Sequence, residues 1–146
     1  MADRVQSFEN HAQVVPMFHY VTLGILQITF IGACVNLYES WGDSARFYSA
    51  SLLVTLTLGT ILAALYARSF ALKAQDRAIR AEEQLRHYVL TGKLLDARLT
   101  VKQIVGLRFA SNEEFVALAQ RAADQNLSTK DIKQAVKTWR PDTYRA

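Results

Sequence analysis

Cysteine occurs once and proline twice in the 146 residues. The lone Cys34 excludes an internal disulfide framework and a metal site built from cysteines. No Gly-rich phosphate loop, nucleophile elbow, pair of carboxylates at readable spacing or metal-ligand cluster is present. The chain therefore reads as non-enzymatic, with no cofactor expected. Charge is missing where it matters most. Neither Pro16–Tyr38 (23 residues) nor Phe47–Ala67 (21 residues) contains an Asp, Glu, Lys or Arg. About 20 mainly apolar residues cross a bilayer's hydrocarbon core as a helix, so each window is long enough to span. Two buried helices of a soluble protein are the alternative, but a chain this short cannot bury both on all sides.

The charge that is present is distributed unevenly. Residues 1–67 carry two Arg against four acids, a net −2. Residues 68–146 carry 15 Lys/Arg against nine acids, a net +6, and together they give the overall +4. Arg68, Lys73, Arg77, Arg80 and Arg86 follow the second window closely, whereas the turn "ESWGDSAR" between the windows has only Arg46. The excess of basic residues predicts that the C-terminal part faces the cytoplasm. Two spans then return the N-terminus to the same side. Phe18, Tyr20, Tyr38, Trp41, Phe47, Tyr48, Tyr66 and Phe70 sit near the window ends, as an aromatic belt requires. "IGAC" (31–34) resembles a lipoprotein cleavage box, but its leader would be long and its start is not clearly basic. Cys34 reads instead as a mid-membrane thiol.

The stretch Gly59–Leu85 passes from apolar to charged sequence without a Pro or a further Gly. Ser51, Thr55, Gly59, Ala63, Ala67 and Ala71 recur every four residues, a small-residue ridge of the kind that lets helices approach closely in lipid. A second series, Thr60, Ala64, Ala67, Ala71, Ala74, Ala78, Ala81, Leu85 and Tyr88, alternates steps of four and three, which is a heptad seam. One helix is expected from about Phe47 to about Leu90. Thr55, Gly59, Ala63, Ala67, Ala71, Ala74, Ala78, Ala81 and Leu85 are its expected packing residues, either against a second copy or against another protein. The competing explanation is that Ala is simply a good helix former.

Polar groups inside the first window are His19, Thr22, Gln27, Thr29 and Asn36. Thr22, Thr29 and Asn36 share one face and are expected to bond across to the second span; a polar path through an oligomer is the alternative. His19 reads as an interfacial anchor or interhelical hydrogen-bonder. His11 and His19, with Glu9 nearby, are possible metal or haem ligands, but they lack a standard ligand spacing.

After "TGK" (91–93) three short helices are expected. Thr100 with Gln103 and Ser111 with Glu114 form capping boxes, and Ser128 with Asp131 opens the third helix. Asn126 is expected to end the second helix, and Pro141 the third. Ile104, Val105, Leu107, Phe109, Phe115, Leu118, Ala122, Leu127, Ile132, Val136 and Trp139 form the expected core. Lys130, Lys133, Lys137 and Arg140 make a basic stripe, which with Arg68 and Lys73 could meet anionic headgroups or a partner. Nucleic acid is a minor alternative for this stripe.

The predicted fold is all-α: a two-helix transmembrane hairpin whose second helix continues into the cytoplasm, followed by a small three-helix domain. The segments are 1–15 (interfacial), 16–38 (first span), 39–46 (extracytoplasmic turn), 47–67 (second span), 68–90 (extension) and 91–146 (helical domain). "NHAQVVPMFHY", "LTVKQIVGLRFASNEEFVALAQRA" and "IKQAVKTWRPDTYR" together resemble an uncharacterised family of small two-span bacterial membrane proteins, sometimes loosely labelled transporter permeases. The resemblance covers nearly the whole chain. It implies the same architecture and a bacterial inner-membrane location, with membrane lipids as partners, and it implies no activity. Two spans without a charged residue do not make a transporter core. The expected function is a homo-oligomeric scaffold or an accessory subunit of a larger membrane complex. The alternatives are a small homo-oligomeric channel and a haem- or metal-binding redox subunit.

Overall fold

The computed structural model describes residues 7–9 and 14–142. It contains five α-helices: α1 Leu23–Glu39, α2 Ser44–Thr91, α3 Val101–Leu107, α4 Asn112–Gln125 and α5 Thr129–Ala135. A π-helical turn, Met17–Thr22, leads into α1, and no strand occurs among the described residues. The chain divides into two compact units. One is Val14–Ala71; the described part of the other is 7–9 and 72–142.

In the first unit Pro16 opens the π-helical turn, where its missing N–H is not needed. The Thr22 hydroxyl donates to the Met17 carbonyl (3.0 Å), five residues back. A turn through Gly42 joins α1 to α2. Gly42 has φ +97°, which glycine adopts without a Cβ penalty. The Asp43 carboxylate then caps α2 by accepting the N–H groups of Ala45 (3.1 Å) and Arg46 (3.2 Å). Helix α2 begins three residues before the expected Phe47 and runs unbroken for 48 residues.

Covered positions on both helices alternate in steps of three and four. On α1 they include Leu23, Leu26, Phe30, Ala33 and Leu37, and on α2 Ala50, Val54, Thr57, Ile61 and Ala64. Ala33 and Ala50 are buried, so the tightest positions carry the smallest apolar side chains. The Arg68 guanidinium lies 5.8 Å from the centre of the Phe18 ring, a cation–π distance. Most of the remaining apolar surface of these helices is open. Ile25, Ile28, Ile31, Leu52, Leu56 and Leu65 are all exposed. Only 6% of the most apolar window of each helix is buried within the chain.

In the second unit α2 ends at Gly92, whose φ of +72° and N–H bond to the Tyr88 carbonyl (2.7 Å) form a left-handed helix stop. The Leu95 N–H bonds back to the Gln84 side chain (3.2 Å), which turns the chain towards α3. The capping pairs form as their spacing predicts. Gln103 Oε1 accepts the Thr100 N–H (2.8 Å), Glu114 accepts the Ser111 N–H (3.4 Å), and Asp131 accepts the Ser128 N–H (3.3 Å). Asn126 ends α4 in the left-handed region, at φ 47°. Ile104, Leu107, Phe115, Leu118, Ala122, Ile132 and Val136 form one buried cluster with Leu95, Leu99, Ala110, Ala119 and Ala123. Gly106 admits α5 closely, since a Cβ there would meet Thr129 and Ile132 at 3.3–3.4 Å.

The end of the chain departs from expectation. Helix α5 stops at Ala135, not at Pro141, because Val136 turns extended. The Thr138 carbonyl then accepts the Ser111 N–H (3.1 Å), and the Arg140 N–H donates to the Phe109 carbonyl (2.7 Å). Glu114 holds this segment by accepting the N–H groups of Lys137 (3.1 Å) and Thr138 (3.0 Å). The Trp139 ring packs on Phe109, tilted by 35° with centroids 4.8 Å apart. Phe115, fully buried in the cluster, is its most sensitive point. Phe115→Ala should cost about 3–5 kcal/mol. The measurement is urea unfolding of the second unit followed by Trp139 fluorescence in a Trp41→Phe background.

Candidate functional surfaces

The expected packing residues lie on open surface. Thr55, Gly59, Ala63, Ala67, Ala71, Ala74, Ala78, Ala81 and Leu85 are all exposed within the single chain. Positions 50, 54, 57, 61 and 64, which the chain itself covers, form a neighbouring face of the same helix. In the second unit α2 is covered at Ile79 and Glu83, and half-covered at Gln75, Arg86 and His87. The Ala74–Leu85 series is set about two-fifths of a turn away from that face.

The polar residues of the first window turn inward on their own backbone. Thr29 donates to the Ile25 carbonyl (2.8 Å), as Thr22 does to Met17. Neither makes the cross-helix bond expected of it, because the carbonyl one turn back is always within reach of a Thr hydroxyl. Gln27 is exposed and Asn36 half-buried. His19 Nδ1 lies 3.1 Å from the Val15 nitrogen and 2.9 Å from its carbonyl oxygen, so the ring caps its own turn. His11 lies outside the described residues. No group of three or more His, Cys, Asp or Glu side chains able to hold a metal occurs among the described residues.

The basic residues do not share one helical stripe. Lys130 and Lys133 lie on α5, whereas Lys137 and Arg140 lie on the extended segment after it. The Lys133 ammonium sits 5.6 Å from the centre of the Phe109 ring. Lys73 is exposed on α2.

The sequence reading missed the most connected charged group. Glu83 is only 4% exposed, although it lies in the charged part of α2. Arg86 pairs with it at 2.9 Å, donates to Asn112 Oδ1 (2.9 Å) and to the Ala110 carbonyl (2.7 Å), and covers the Phe115 ring at 4.2 Å. Arg140 stands 3.7 Å from the other Glu83 oxygen. Glu83 and Arg86 stand three residues apart, a spacing at which opposite charges on one helix meet. Beside this node a polar cleft of about 470 Å³ is lined by Glu82, Arg86, Ser111, Asn112, Glu113 and Arg140. The Ser111 hydroxyl and the backbone N–H of Glu113 hold the Glu113 carboxyl below its ordinary range. The cleft offers both signs of charge.

A second ion-pair group pins the connection before α3. Arg98 bonds Asp96 at 2.7 Å and Asp124 at 2.8 Å. The Arg98 side chain and then its backbone N–H lower the Asp96 pKa to about 2. The Gln120 amide, followed by Arg98, lowers that of Asp124.

These observations define an all-helical protein with two helices long and apolar enough to cross a membrane. The chain belongs to a family of unknown function (DUF6526), whose profile matches residues 1–146. The expectation of an uncharacterised family holds. No curated protein and no solved structure matches the chain.

Removing Arg86 strands a buried carboxylate. Arg86→Met should cost about 3–5 kcal/mol, and Glu83→Met combined with it should recover part of that loss. A denaturant double-mutant cycle measures both. Asp96 supplies a pH signature. Its folded pKa is depressed, so its contribution is complete above the ordinary carboxylate range and is lost as pH falls towards 2. Arg98→Ala should return the Asp96 titration, followed by NMR, to the ordinary range.

Proposed function

We propose that this chain is a non-enzymatic integral membrane protein that works by helix assembly, as a homo-oligomeric scaffold or an accessory subunit of a larger membrane complex. In this reading Met17–Glu39 and the first part of α2 form a transmembrane hairpin, and α2 continues into the cytoplasm. Both termini are cytoplasmic, and the membrane is a bacterial inner membrane. The observation that carries the reading is the uncovered apolar surface. Two helices of spanning length bury only 6% of their most apolar windows within the chain. Apolar surface on that scale needs lipid or other helices to cover it. The hydroxyls of Ser49, Thr55, Thr57 and Thr60 all bond within α2, as an apolar medium requires of polar side chains. The run of Arg and Lys after Ala67 supports the orientation.

Expressed in bacteria, the protein should pellet with membranes and resist alkaline carbonate extraction. A cytoplasm-active reporter fused at either terminus should be active, and one inserted at Gly42 inactive. Extraction by carbonate, or an active reporter at Gly42, would overturn the reading. Native mass spectrometry then separates a ring of one size from co-purifying foreign chains.

A further inference from the structure

We propose that the open face of α2 beyond the apolar window, centred on Leu85 and Tyr88, pairs with the same face of a second copy, parallel and in register. The inference rests on the membrane reading above, since two copies inserted alike present α2 in the same direction. Leu85 is 64% and Tyr88 53% exposed within a charged stretch of α2. Val89 beside them is 74% exposed. The covered face of this part of α2, at Ile79 and Glu83, is already occupied by the rest of the second unit. The open face is therefore a second, independent surface.

Charge chooses the occupant. Ala78, Ala81, Leu85 and Tyr88 step by three, four and three, the spacing of the core positions of a two-stranded coiled coil. With Ala78 and Leu85 as the first core position of successive heptads, Arg77 immediately precedes one and Glu82 immediately follows Ala81. In a parallel, in-register pair, those flanking positions meet across the interface, Arg77 of one copy with Glu82 of the other. Both residues are exposed, and neither makes an ion pair with any described residue. A symmetric dimer forms this pair twice. An antiparallel partner loses it, because positions of the same kind then face each other. Alanine at 78 and 81 lets the axes approach to about 8 Å, and Leu85 and Tyr88 supply the apolar area that alanine does not.

The test uses full-length protein in native membranes, in a Cys34→Ser background. Ala78→Cys, Ala81→Cys and Leu85→Cys should each give disulfide-linked dimers on mild oxidation, and Arg80→Cys should not. Arg77→Glu alone should lower the dimer yield about fivefold, because two pairs become two repulsions. Arg77→Glu with Glu82→Arg should restore it. Equal yields at all four positions, or no rescue by the double swap, would overturn the proposal. If dimers are absent while the protein resists carbonate extraction, self-pairing fails and the membrane reading stands; if carbonate extracts it, both fail.

Discussion

A backbone N–H or carbonyl left unpaired in an apolar medium costs several kcal/mol, and on the membrane reading this constraint governs the first half of the chain. Helix α2 meets it with one continuous run of 48 residues. Residues that favour positive φ lie just outside its two ends, at Gly42 and Gly92. Between them the only glycine is Gly59, which stays helical. Serine and threonine could have competed for backbone groups, yet they donate to carbonyls of their own helix and leave the ladder intact. Forty-eight residues are more than twice the roughly 20 that a hydrocarbon core needs. On the membrane reading, α2 therefore continues beyond the lipid, and its charged part is where the protein meets water and other chains.

The second unit is built on a different constraint, the cost of a buried charge. Glu83 is tolerated inside only because Arg86 and Arg140 approach both of its oxygens. Arg86 in turn bonds Ala110 and Asn112 at the start of α4, which fastens the charged end of α2 to the small helical core. Glu114 plays a comparable part on the other side. It closes the cap of α4 and also accepts two N–H groups from the extended segment after α5. Glu83, through Arg86, ties the start of α4 to α2, and Glu114 ties it to the segment after α5.

Local signals were legible in the sequence and long-range ones were not. Thr100, Ser111 and Ser128, each followed three residues later by an acid or amide, marked three helix starts, because capping involves only neighbours. The uncharged windows marked the two long helices for the same reason. The end of α5 was not legible, because Glu114, 23 residues before Lys137, pulls that segment out of the helix. Nor was the face of α2 that the chain itself covers. Ala, Ser, Thr and Gly are so frequent there that several small-residue series overlap, and spacing alone did not single out Ala50, Thr57 and Ala64. Glu83 was hidden among exposed charges, since composition does not reveal which side of a charged helix meets a core.

Single-cysteine scanning along α2 with a membrane-impermeant maleimide, in Cys34→Ser protein in inside-out vesicles, tests the central claim most directly. The account predicts protection through 47–67, then one change to reactivity close to Arg68, with protection returning on the side that carries Ile79 and Glu83 and, in the paired protein, on the face of Ala78, Ala81, Leu85 and Tyr88. Reactivity throughout 47–67, or several alternations between protection and reactivity before Arg68, would contradict it.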